Sequence, residues 1–316
     1  GTPKGVMLSH RNLISNARSI VQYLGIGNDD RPLCVLPFHH AFGNSVLQSH
    51  LLVGAHLILE GSTSFPQTLV EALARHNCTS LSGVPDLFRL LLDRTSLGSV
   101  PISSLRYMAV AGGSLPHQLS IEVQRRIEPA RFYVMYGQTE ATARLAYIPP
   151  FLLPEALDGC IGQAVPDVTL EVVDDQGKRV PAGAVGELRA SGPNIMLGYW
   201  RAPEATLERL RDGWLYTGDL ATPDAVGRIW LKGRRNALVK IAGYRVHPAE
   251  LENFATGRLG AIQAVAVPFD VPILGTRFAL FLRTGSSSNS LALPEMVNRC
   301  RAELPRHLVP ELIEVV

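Results

Sequence analysis

RYMAVAGGSLPHQLSIEVQRRIEPARFYVMYGQTE, residues 106–140, is the stretch on which the fold turns. Residues 106–111 read as a strand that ends in Gly112-Gly113. Residues 116–127 read as a helix with proline in its first turn, where a missing N–H costs nothing. Residues 131–136 read as a second strand, closed by Gly137. Strand, helix, strand, with glycine after each strand, is the unit of a parallel sheet.

Upstream the same alternation continues. Ser9 followed by Leu13, Ala17, Ile20 and Leu24 predicts a capped amphipathic helix. Strands are expected at 32–38, 55–59 and 79–84, and helices at 67–76 and 86–93. The whole implies an α/β fold with a parallel, doubly wound sheet. Ligands collect at the carboxyl ends of such strands, where Gly112-Gly113 and Tyr136-Gly137 fall.

Downstream the texture changes near residue 149. Residues 168–173 and 185–190 read as paired strands around the turn Asp174-Asp175-Gln176-Gly177, so this stretch is mostly β. After Arg234 the pattern becomes β, α, β, β, α, with helices near 248–255 and 293–303. A boundary near 233–236 gives a large domain at 1–233, built of parallel-sheet and β-rich subdomains, and a small α+β domain at 234–316. The serine-rich patch 286–290 reads as a loop.

Composition narrows the function. The 316 residues are 46% hydrophobic and 18% charged, ordinary for a globular protein with a large core. Net charge is only +2, and no basic run interleaved with aromatics points to nucleic acid. No apolar stretch has membrane-spanning length, and no signal peptide is visible. The four cysteines, Cys34, Cys78, Cys160 and Cys300, are scattered without a CxxC pair. They read as buried free thiols of a reducing, cytoplasmic compartment.

Several short motifs carry possible chemistry. Gly1-Thr2-Pro3-Lys4-Gly5 looks like the tail of a glycine-rich phosphate loop, with Lys4 a mobile cation near β- and γ-phosphates; taken alone it reads rather as a Pro/Gly turn with a surface lysine. It is not a Walker loop, since Gly5 follows Lys4. In Tyr136-Gly137-Gln138-Thr139-Glu140, Tyr136 would stack on a base, Thr139 bond a phosphate and Glu140 hold Mg²⁺; a strand end with a polar turn is the equal alternative. Asp219, in a turn at 216–220, would accept hydrogen bonds from a ribose diol, and Arg234 would reach a ribose or phosphate oxygen. Gly243 suggests a close backbone approach, and His247-Pro248-Ala249-Glu250 a helix start. His39 and His40, adjacent on a strand, would point to opposite faces, one into a pocket. Arg144 reads as a surface residue, with contact to a polar acyl group as the alternative.

Singly these motifs are weak, but their order and spacing are not. The chain resembles the adenylate-forming, AMP-binding superfamily of acyl-CoA synthetases, peptide-synthetase adenylation domains and luciferases. The matching segments are 1–5, 37–43, 112–114, 136–140, 186–200, 216–220, 233–252 and 304–310, collinear over nearly the whole chain.

The resemblance implies an ATP-dependent carboxylic-acid ligase. Mg·ATP and the acid give an acyl-adenylate and pyrophosphate, and a thiol of CoA or an acyl-carrier protein then takes the acyl group. It implies that Thr2 and Lys4 hold the triphosphate, that Gly113, Ser114 and Tyr136 border adenine, and that Thr139 and Glu140 serve phosphate and Mg²⁺. Asp219 and Arg234 would hold the ribose. Gly112, Gly137, His40 and Phe42 would line the acid pocket, His40 near the reacting carboxylate. Gly243 would line the thiol's route. Asn236 stands at the hinge position where the family has Asp or Lys.

The resemblance also implies that Gly1 begins inside the phosphate loop and that Val316 stops before the family's catalytic lysine, so the chain by itself would be weakly active or inactive. Two alternatives stand beside the acyl ligase. One is a nucleotide-binding remnant without catalysis. The other is an amino-acid-adenylating module, set lower because His39-His40 replaces the Phe-Asp start of such modules.

Overall fold

A computed structural model describes residues 4–60, 64–235, 239–241, 244–271, 275–285 and 291–316. Two compact units are present: residues 1–217 with 222–231, and residues 218–221 with 232–316.

Among the described residues, the first unit is organised around an eleven-stranded sheet. Its first four strands, Pro32–Leu33, Ser80–Gly83, Tyr107–Val110 and Arg131–Tyr136, are neighbours in that order and parallel. Ala146–Ile148 and Cys160–Ala164 then add in antiparallel fashion. Further along lie Gly186–Ser191 and Thr169–Val173, an antiparallel pair as expected.

Side-chain alternation explains why helices cover both faces of the parallel part. Met108 and Val110 face one way with Phe132 and Val134, and meet Leu69, Leu73, Leu87, Phe88, Leu91, Val123 and Ile127. These last seven belong to helices Pro66–Arg75, Pro85–Arg94 and His117–Ile127. Tyr107, Ala109, Tyr133 and Met135 face the other way, against Ile20 and Leu24 of helix His10–Leu24 and Phe42 of helix Ala41–Leu52. The register Met108↔Phe132 and Ala109↔Tyr133 keeps each set on its face. Ser9 starts helix His10–Leu24 with a reciprocal capping box to Asn12.

Four expectations change. The strand at 32–38 is only Pro32–Leu33, and 55–59 contributes a single bridge, Ile58 to Leu33. Both lie at the sheet edge, where so short a partner leaves few ladder positions. Pro116 is the N-cap of its helix and not a first-turn residue. Residues 216–220 are not a turn: they lie within strand Trp214–Pro223.

The second unit contains the hairpin Val239–Ile241 with Tyr244–Val246. A second antiparallel pair, Ala261–Val271 with Gly275–Thr284, is joined in parallel by Leu312–Val315. Helices Pro248–Arg258 and Leu293–Glu303 bury Leu251, Ala255, Met296 and Cys300 against Ala266, Phe278, Leu280 and Leu282 of this sheet.

Candidate nucleotide and acid site

Three sequence-distant segments meet in the first unit. The ribbon Val6–Met7 pairs with Gly198–Tyr199. Trp200 N–H donates to the Gly5 carbonyl at 2.7 Å, and Leu197 N–H to that of Met7 at 2.9 Å. This seats Lys4 with its Nζ 5.0 Å from the centre of the Tyr199 ring. Tyr199 in turn donates its hydroxyl to Glu140 Oε1 at 2.6 Å, and Met196 N–H donates to the Glu140 carbonyl at 2.8 Å. Burial pushes the Tyr199 hydroxyl up to about 12, and its bond to the Glu140 carboxylate adds to this. It therefore stays a donor at any ordinary pH.

Glu140 is half-buried in the short helical turn Thr139–Ala141; Thr139 beside it is exposed. Tyr136, half-buried, is the last residue of strand Arg131–Tyr136. The chain then folds back: Leu145 N–H donates to the Tyr136 carbonyl at 2.9 Å, and Ala143 N–H to that of Gln138 at 3.2 Å. Gly137 is required by this reversal, because a Cβ there would strike the Ala143 carbonyl.

Buried asparagine amides fix the loop. Asn194 Nδ2 donates to the carbonyls of Ala141 at 2.9 Å and Arg144 at 3.0 Å, and Asn16 Nδ2 donates to Arg144 O at 3.2 Å. Thr142 Oγ1 donates to the Asn194 carbonyl at 2.6 Å. Neither the asparagines nor Tyr199, which lies in the matching segment 186–200, has a role assigned from the sequence. Their signal is polar identity at positions that the fold buries, and that requires the fold. Gly112, Gly113 and Ser114 are exposed immediately after Tyr107–Val110, at the carboxyl edge of the parallel strands.

Two placements differ from expectation. His39 and His40 are not on a strand. His40 is the N-cap of helix Ala41–Leu52, and both rings are exposed, their centroids 4.3 Å apart. A loop entering a helix has no two-residue alternation, so the opposite-face argument does not apply. Arg144 is not on the surface. It is 2% exposed, with its guanidinium 4.0 Å over the centre of the half-buried Phe42 ring.

In the second unit, Asp219 is buried and its Oδ1 lies 2.7 Å from Arg234 Nε. The Arg234 carbonyl accepts from His247 Nε2 at 2.8 Å, while His247 Nδ1 accepts from Ala249 N–H at 3.1 Å. That pair of bonds assigns one tautomer of a neutral ring, with its proton on Nε2. Gly233 makes room for this ring: a Cβ at its φ of +131° would collide with the imidazole. Thr2, Asn236 and Gly243 lie outside the described residues.

All four cysteines are free thiols. Burial pushes Cys34 up to about 12 and Cys78 and Cys300 to about 11, so none is primed as a nucleophile. Among the described residues no helix is long and apolar enough to cross a membrane. No cluster of three or more His, Cys, Asp or Glu suited to a metal occurs among them. The first unit thus offers a cation, a carboxylate and a hydroxyl around one tyrosine, beside a glycine-bounded strand end. Such an arrangement can bind a polyphosphate and a hard cation.

A model of the AMP-binding enzyme family matches residues 1–200. A long-chain-fatty-acid–CoA ligase of Escherichia coli O6:H1 is 33% identical over 99% of this chain and 56% of its own length. An indoleacetate–CoA ligase of Aromatoleum aromaticum is 34% identical over 84% of this chain and 52% of its own. Among solved structures, ATP-bound MatB of Rhodopseudomonas palustris superposes with a TM-score of 0.89 at 27% identity, covering 100% of this chain and 62% of that one. The o-succinylbenzoate CoA synthetase MenE of Bacillus subtilis, in complex with ATP and magnesium, gives 0.86 at 26% identity, covering 100% and 64%. The chain spans little more than half the length of these ligases.

Proposed function

Because this chain belongs to the AMP-binding enzyme family, we propose that the whole protein is an ATP-dependent carboxylic-acid ligase that passes the acyl group to a thiol of CoA or an acyl-carrier protein. The observation that supports the reading is the convergence of Lys4, Tyr199 and Glu140, which gathers a cation and a carboxylate about one phenol.

In the first step a carboxylate oxygen attacks the α-phosphorus of ATP. The bond from that phosphorus to the bridging oxygen breaks, and pyrophosphate leaves with the electron pair. In the second step a thiol sulfur bonds the acyl carbon, the acyl–oxygen bond breaks, AMP leaves, and the thiol proton passes to solvent. Bringing two anions together is the difficulty, so positioning and cations do most of the work. Lys4 and Thr139 are assigned to the phosphates, as is Thr2. Tyr136, Gly113 and Ser114 take adenine. Asp219 and Arg234, of the second unit, are assigned to the ribose. Gly112, Gly137, His40 and Phe42 border the acid, and Gly243 the thiol's route.

Glu140 is the residue that would hold Mg²⁺. Among the described residues its carboxylate takes one hydrogen bond, from Tyr199 on Oε1. That leaves a hard oxygen for an ion that binds through one or two carboxylates plus substrate phosphates. Mg²⁺ bound there supplies charge neutralisation along the triphosphate. We read residues 1–233 as the nucleotide-binding core and 234–316 as the family's C-terminal domain. We place the protein in the cytoplasm; its free thiols support a reducing compartment.

ATP–pyrophosphate exchange by the whole protein, over a panel of fatty, aryl, dicarboxylic and amino acids, tests the reading. Acid-dependent exchange is expected. Nucleotide binding without exchange, whatever the acid, would leave the catalytically deficient alternative standing and overturn the ligase.

A further inference from the structure

Arg144 is a cation without an anion. Its guanidinium lies between the sheet and helices His10–Leu24 and Ala41–Leu52, over Phe42 and against the hydroxyl of Tyr23, with the Tyr107 phenol within electrostatic reach. Its Nε has no hydrogen-bond partner. Every Asp and Glu of the chain is among the described residues, and none of them pairs with it. The phenols do not supply the missing charge. Burial pushes Tyr23 up to about 12, with Arg144 only partly opposing this, and burial raises Tyr107 as well.

Desolvating a guanidinium without a counter-ion costs several kcal/mol, and a ring contact plus neutral phenols returns only part of it. An apolar residue of similar length would serve the fold better. The side chain is therefore held charged for something that arrives. What covers it is Phe42, in the first turn of helix Ala41–Leu52, which has no side-chain cap at His40. Phe42 is also the residue assigned above to the acid pocket. The backbone of Arg144 is fixed by Asn16 and Asn194, so the guanidinium has a defined position behind that ring.

We propose that Arg144 reads a second anionic group at the far end of the acid substrate, making the preferred substrates dicarboxylates or acids with an equivalent anionic tail. The reacting carboxylate stays with Lys4, Thr139 and the triphosphate. The tail displaces the Phe42 ring and takes up the planar fork of the guanidinium in a bidentate pair. The inference rests on the acid-ligase reading and specifies its substrate class. It also disfavours plain alkyl acids, for which a buried guanidinium is a poor pocket floor.

The test is ATP–pyrophosphate exchange by the whole protein with matched pairs: adipate against hexanoate, azelate against nonanoate, isophthalate against benzoate. At least one diacid is expected to exceed its monoacid in kcat/KM by about tenfold or more. In Arg144→Met that ratio should fall to one or below, and Arg144→Lys should keep part of it, since Lys retains the charge but not the fork. A wild-type ratio of one or below in all pairs, with clear exchange by the monoacids, overturns the inference while leaving the ligase intact. So does a ratio unchanged in Arg144→Met. If the Met variant does not fold, the wild-type ratios decide. No exchange with any acid overturns the ligase reading beneath it, and the two failures are thereby told apart.

Discussion

Two carboxylates of the first unit make opposite use of their oxygens. Glu171, on strand Thr169–Val173, is saturated. Arg179 donates to Oε1, and Arg189 donates to Oε2 from Nε at 3.0 Å and from Nη2 at 2.6 Å. Arg189 is further stacked 4.3 Å over the Trp214 ring. Glu140 receives one hydrogen bond from a neutral phenol and has a lysine beyond that ring. A carboxylate whose lone pairs are filled by fixed guanidiniums holds strands together. A carboxylate left open near a lysine suits the cation role proposed for Glu140. The same contrast separates Arg189, which has its anion, from Arg144, which has none.

The sharpest way to break the comparison is Glu140→Gln. The substitution keeps the volume and an acceptor for Tyr199 but removes the charge. Mg²⁺-dependent pyrophosphate exchange is expected to fall on the order of 100-fold or more, about 2.7 kcal/mol, with the thermal midpoint shifted by less than about 2 °C. Retained exchange would refute the metal role of Glu140.

Glu171→Gln should behave the other way. Two guanidiniums lose their anion, one of them half-covered by aromatic rings. The expected loss lies between that of a surface pair and a buried one, about 2 kcal/mol in a denaturant titration. Exchange per folded molecule should stay unchanged. Loss of exchange at full stability would place Glu171 in the site and dissolve the contrast.

Acid sharpens the same point. Burial alone would raise the Glu171 carboxyl, but hydrogen bonds and charge from Arg179 and Arg189 outweigh it and hold the folded value low. The unfolded chain thus binds this proton more tightly. The stabilisation is full above the ordinary glutamate range and is lost as pH falls through the folded value. Glu171→Gln should therefore flatten the acid side of the stability curve measured by chemical unfolding, whereas Arg144→Met should not. A curve unaltered by Glu171→Gln would show that the arginine pair does not depress this group.

The parallel part of the fold was legible because strand and helix periods are written in apolar residues: the strand expected at 106–111 is Tyr107–Val110, and that at 131–136 is Arg131–Tyr136. Strand length at the edge was not, because pairing of 32–38 and 55–59 depends on partners elsewhere. Asp219 was misread as a turn residue because Gly218 signals turns locally, while its φ of +72° is here accommodated inside a strand. The residues proposed for the site were named from motif order and spacing. Arg144 could not be placed, since arginine is almost always exposed and its burial here depends on the packing of distant elements around it. Tyr199 carried no chemical signal of its own until Glu140 was found on its hydroxyl.

Tyr199→Phe is the smallest perturbation and tests how the open carboxylate is kept open. Losing a hydrogen bond to a charged acceptor is worth about 1.5 kcal/mol, so the concentration of Mg²⁺ for half-maximal exchange should rise up to about tenfold. The turnover at saturating Mg²⁺ should fall less, because the ring that faces Lys4 remains. With its hydroxyl held near 12, Tyr199 does not ionise in the working range, so the alkaline limb of the exchange profile should be the same in wild type and variant. A shift in that limb, or a loss of turnover equal to that of Glu140→Gln, would mean that Tyr199 acts on the reacting groups directly. The contrast with Glu171 would then lie in a chemical role of the phenol and not in an oxygen left free for a cation.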